Sequence, residues 1–149
     1  MFKGIASLTY AMRGHEPWLI AVLTLVFSLM GATFEMDAES LVFYPLLVPL
    51  FLAAGYDLLV PFAIIFGGTT LGGVVAFSNP FSTIIASNAA DINWMDGLYE
   101  RLIFFVILNA FPITYILRYA AMVRKDPTTS LVYQLDGHVK PPYEIAIDQ

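Results

Sequence analysis

Residues 58–90 read LLVPFAIIFGGTTLGGVVAFSNPFSTIIASNAA and hold no charged side chain, and the length of that run decides the fold. A helical membrane crossing takes about 20 apolar residues at a rise near 1.5 Å each. The run is too long for one plain span and too short for two complete spans joined by a turn, so an irregular element is expected inside it. Composition marks the place. Small residues at Gly67, Gly68, Thr69, Thr70, Gly72 and Gly73 lead to Ser78, Asn79, Pro80, Phe81, Ser82 and Thr83, where Asn-Pro is a turn signal.

Outward from this run, the flanking segments also read as spans. Residues 40–56 are apolar and carry Pro45 and Pro49, which are tolerated where neighbouring helices satisfy the freed carbonyls, and Asp57 closes the segment. Before it, Glu35, Asp37 and Glu39 form an acidic loop, read as a solvated connection in preference to a cation site. Residues 17–34 are uncharged over about 18 positions, enough to cross, with Trp18 at the headgroup level. A cleaved signal peptide is the rival reading, but the stretch is long for a signal core and further apolar segments follow it. In residues 1–14, Phe2, Ile5, Leu8 and Met12 make one apolar stripe with Lys3 and Arg13 off it, the pattern of an interfacial helix. The last span is expected at about 98–121, kinked at Pro112, with Arg118, Arg124 and Lys125 at its end. Past Asp126-Pro127 the periodicity stops, so 126–149 reads as a mobile polar tail.

The whole composition agrees. Hydrophobic residues are 58% and charged residues 13%, against about 45–50% and about 25% in soluble domains. The net charge of -5 offers no basic footprint for nucleic acid. There is no cysteine, which removes disulfides and thiolate chemistry, and His15 and His138 lack the companions of a metal site. No paired acid and base, HExxH, GxSxG or Walker spacing is present, so an enzyme is not expected.

The expected fold is all-α: a polytopic membrane domain over 1–125 with about four transmembrane segments, the one at 58–90 discontinuous near 78–80. Orientation follows from basic residues, which favour the cytoplasmic side. If 58–90 crosses once, Lys3, Arg13, Arg118, Arg124, Lys125 and Lys140 all lie inside with both termini, and Arg101 alone lies outside. A re-entrant hairpin would reverse the last span and place the basic cluster outside, so the broken span is preferred.

Asn79-Pro80 also reads as a helix start, because Asn accepts an early backbone N–H and Pro at the first position loses no bond it needed. A helix N-terminus at membrane depth is a ready site for a carboxylate, and broken helices serve secondary transporters in this way. Ser78, Asn79, Pro80, Ser82 and Thr83 are therefore the candidate substrate-binding residues. Gly67, Gly68, Thr69, Thr70, Gly72 and Gly73 are expected as helix-packing or cavity-lining residues, and for the glycines packing is preferred to ligand contact, since Gly68 and Gly72 have G-x-x-x-G spacing. Ser87 and Asn88 fit either a cavity lining or a cap.

The segments MGATFEM, FYPLLVPLFLAAGYD, SNPFSTIIAS and RYAAMVRKDPTTSLV, in that order, resemble the YfcC family of the C4-dicarboxylate anaerobic carrier (DcuC-like) group, within the ion transporter superfamily. The likeness covers roughly residues 2–132. It implies a bacterial inner-membrane secondary carrier for organic anions such as dicarboxylates or for basic amino acids, with 78–83 in the substrate region. It also implies partners beyond the lipid bilayer. Family members are several times longer and have two halves, so a second transporter half or a homo-oligomer would complete the site. The expected function is part of a secondary active transporter, coupled to a cation such as Na+ or H+ or working as an antiporter. No organic cofactor or metal is expected. The alternative is a non-transporting assembly or anchoring subunit, whose glycine-rich helix only packs against a partner.

Overall fold

The computed structural model describes residues 14–132, which are helices joined by turns and loops, without a strand. Helix α1, Glu16–Phe34, has Pro17 in its first turn, where the missing N–H would have had no intrahelical acceptor. It ends at Glu35, which adopts the left-handed conformation (φ 54°, ψ 45°) and donates its N–H to the Gly31 carbonyl at 3.1 Å. Glycine usually takes this position, so a glutamate here carries roughly 1–2 kcal/mol of backbone strain.

A 3-10 turn at Glu39–Phe43 enters α2, Tyr44–Ala53. Pro45 sits in the first turn of α2, and Pro49 is interior. The helix stops before the expected limit at residue 56 because Gly55 turns the chain at φ 86°. Helix α3, Leu59–Val74, changes pitch midway: Leu59–Phe62 is α, Ala63–Gly67 is π and Gly68–Val74 is α again. The wide turn follows Pro61, which has no N–H to continue the ladder. Helical structure lapses at 75–79 and resumes as α4, residues 80–89, opening with a π turn at Pro80–Ile84. Gly97, at φ 75°, admits the chain to the 28-residue α5, Leu98–Lys125, which stays helical through Pro112.

α1 makes its widest contact with the Gly68–Val74 half of α3 and also packs on α5. Ile20 and Phe27 of α1, Phe51 of α2, Ile64 of α3 and Ile116 of α5 meet in one core. Phe77, just before the α3–α4 break, sets its ring edge-on to Phe105 of α5 with centroids 5.3 Å apart. Away from this core, α5 leaves Ile103, Phe104, Val106, Ile107, Phe111 and Tyr115 between 58% and 82% exposed. Such continuous apolar surface is rare on soluble monomers. α1 and α5 are each long and apolar enough to cross a membrane, while Glu39–Ala53 and Leu59–Val74 are shorter apolar stretches.

Two further expectations change. The first residues of the supposed mobile tail are folded: Asp126 starts a 3-10 turn at Pro127–Thr129, and Ser130 returns to the bundle to bond Asp57 at 2.6 Å. A buried carboxylate with open acceptor sites holds that segment, a long-range effect that local periodicity does not register. The last helix also extends to Lys125, past the expected 121. The supposed interfacial helix and the tail past 132 lie outside the described residues.

Candidate functional site

The α3–α4 break is organised by Asn79. Its backbone is extended (φ -60°, ψ 123°), and its Oδ1 accepts the N–H groups of Phe81 at 2.8 Å and Ser82 at 3.2 Å. Pro80 follows at the first helical position, where no N–H is needed. The Asn79 side chain is fully buried, and its Nδ2 reaches the Gly31 carbonyl at 3.5 Å and Glu35 Oε2 at 3.4 Å. Both lengths are at the long edge of hydrogen bonding, so these two contacts orient the amide more than they hold it. Thr83 closes the loop by donating its hydroxyl to the Ala76 carbonyl at 3.1 Å.

The five expected binding residues are close in space but divided in role. Asn79 faces inward, Ser78 and Thr83 are half-buried, and Pro80 and Ser82 are exposed. The amides of Phe81 and Ser82 already have an acceptor within the protein. Those two amides are therefore open to any other acceptor only in exchange for Asn79. Glu35, expected in a solvated loop, is the charged neighbour of the break. Its carboxylate lies beside Asn79 because the left-handed end of α1 aims it there. Among the described residues, no basic side chain bonds the break and no group of three or more His, Asp or Glu is placed for a metal.

The glycines also divide. A Cβ on Gly68 would lie 2.8 Å from Phe27 Cβ, and one on Gly72 would lie 2.7 Å from the Ser28 carbonyl carbon and closer still to its oxygen. Gly31 makes the reciprocal close approach to the backbone of Thr69. Gly67 and Gly73 face open space. The G-x-x-x-G pair is thus an internal contact of α3 with α1. Thr69 is buried and returns its hydroxyl to the Ile65 carbonyl at 3.0 Å, and Thr70 is exposed. Ser87 is buried on α4, and Asn88 is exposed.

Comparison with known proteins bears on this arrangement. The profile of the C4-dicarboxylate anaerobic carrier family, DcuC, matches residues 2–141. An uncharacterized protein of Haemophilus influenzae is 35% identical over 130 residues, covering 87% of this chain and 26% of the relative. YfcC of Escherichia coli, named as a proposed basic amino acid antiporter, is 31% identical over 134 residues, covering 90% of this chain and 26% of the relative. The chain therefore spans about a quarter of the length of these curated relatives. No solved structure matches it.

Proposed function

Because this membrane protein belongs to the C4-dicarboxylate anaerobic carrier family, we propose that it is part of a secondary active transporter of the bacterial inner membrane, with its substrate site at the Asn79 break. The observation that carries the site is a helix start capped by a buried asparagine within a run free of charge. In this reading α1, residues 39–53, the broken pair α3 and α4, and α5 make four crossings, and both termini are cytoplasmic. The distribution of basic residues supports that orientation. A reporter active on only one side of the membrane, fused after Lys125, tests it, and an outside result rejects it.

Between the two substrate classes, charge favours an amino acid. A dicarboxylate brings a second negative charge, and among the described residues the charged side chain touching the break is itself a carboxylate, that of Glu35. An amino acid would place its carboxylate toward Ser78, Ser82 and the helix end, and its ammonium toward Glu35. The name of the Escherichia coli relative points the same way. A second transporter half, or a second copy of this chain, would supply the other side of the site, as in carriers built from repeats. A coupling cation, Na+ or H+, would drive the cycle, or exchange of solutes would replace it.

The test is uptake by liposomes holding this chain, alone and together with a complementary second transporter half, supplied with labelled arginine, lysine and C4-dicarboxylates in turn. Asn79→Ala should reduce uptake of the transported solute while leaving insertion intact. A second reading, a non-transporting assembly or anchoring subunit, is supported by the internal capping of Phe81 and Ser82, which lets the break be purely structural. Inserted, folded protein that moves none of these solutes decides for that reading.

A further inference from the structure

A second polar cluster lies at the opposite end of the bundle, away from the proposed substrate site. Asp57, in the corner between α2 and α3, is 3% exposed. Its Oδ2 accepts the Tyr119 hydroxyl of α5 at 2.5 Å and the Ser130 hydroxyl at 2.6 Å, and its Oδ1 accepts the Val60 N–H at 3.2 Å. Ser130 is 73 positions away along the chain. The segment after α5 is bonded twice more, Leu131 N–H to the Tyr119 hydroxyl and Val132 N–H to the Ser130 hydroxyl, each at 3.2 Å. Beside this set, Arg124 spans to Glu16 at 2.9 Å and to the Tyr56 hydroxyl at 3.3 Å.

A buried carboxylate without a cation is costly unless several donors solvate it. Asp57 has three, from α3, from α5 and from the segment beyond α5. A carboxylate is the side chain suited to that junction, because it accepts at both oxygens and donates at neither. We propose that residues 126–132 form a strap held shut over the α2–α3 corner by Asp57, with Tyr119 and Ser130 as its two catches. Closed, the strap joins the exit of α5 to the start of α3, the helix that leads to the break. Lifted, it takes the Ser130 hydroxyl from Asp57 and the Leu131 N–H from Tyr119, and uncovers the carboxylate at that end of the bundle.

Hydrogen exchange of the full chain in detergent micelles tests the strap. Ser130→Ala removes one catch and the acceptor of Val132, but leaves the Leu131 bond to Tyr119 chemically intact. If the strap is held through Asp57, the Leu131 amide exchanges about tenfold faster in Ser130→Ala, as loss of one hydrogen bond to a charged group implies, while the amides of α1 keep their protection. Asp57→Ala should free Leu131 and Val132 together, and Asp57→Asn, which retains one good acceptor, should fall between it and the native protein. Acceleration of Val132 alone, with Leu131 at its native rate in Ser130→Ala, overturns the proposal. If Asp57→Ala does not fold, the Leu131 rate in Ser130→Ala still decides.

Discussion

Two adjacent glycines on α3 should respond oppositely to the same added methyl group. In Gly72→Ala, the new Cβ would lie 2.7 Å from the carbonyl carbon of Ser28 and 2.9 Å from its Cα, all backbone atoms of α1 that no rotamer change can move. Carbon pairs prefer about 3.5–4.0 Å, so α1 and α3 must separate by roughly 1 Å along their widest contact. Overpacking of this kind costs about 1–3 kcal/mol, occasionally more, against about 1 kcal/mol returned by the better helix propensity of alanine. In Gly73→Ala nothing lies within 4 Å of the new atom, so only the propensity gain remains. Thermal unfolding in mild detergent, followed by circular dichroism, should show a lower midpoint for Gly72→Ala and an equal or higher one for Gly73→Ala. Equal midpoints for the two variants would refute the argument that α1 and α3 meet backbone to backbone through Gly72.

Other perturbations separate the remaining contacts. Ser28→Ala removes a buried hydroxyl that has no partner among the described residues and should raise stability by about 1 kcal/mol in the same unfolding assay. Arg124→Ala strands the buried carboxylate of Glu16; because the arginine is 43% exposed, the loss should fall below the about 3–5 kcal/mol of a fully buried pair, read as a lowered unfolding midpoint. Asn79→Ala removes the cap of α4 and should destabilise the chain by about 0.5–2 kcal/mol, with faster amide exchange at Phe81 and Ser82 and no change in the amides of α5. At Asp126, hydrogen bonds from the side chain and N–H of Thr128 hold the carboxyl below its usual range. Its contribution to the Pro127–Thr129 turn is therefore present above the ordinary aspartate range and lost as pH falls through the depressed value, which the Thr128 amide shift in an NMR titration would report.

Much of the local structure was legible in the chain. Asn79-Pro80 marked a helix start because both effects act within three residues: the amide oxygen reaches the next free N–H groups, and proline gives up a donor that had no acceptor. The apolar content pointed to the membrane because so much hydrocarbon cannot be hidden in so short a soluble chain. Gly68 and Gly72 were legible as packing residues, but their partner was not, since the spacing serves an internal neighbour and another chain equally well.

What the sequence by itself determined is therefore the helical class, the helix start at Asn79-Pro80 and the family, all properties of neighbouring residues or of composition. Only the tertiary structure decided that α1 seats against Gly72, that Glu35 is turned onto Asn79 and that Ser130 closes on Asp57. Each of those joins positions far apart along the chain, and helical periodicity records which face of a helix is apolar but not which distant group will occupy it.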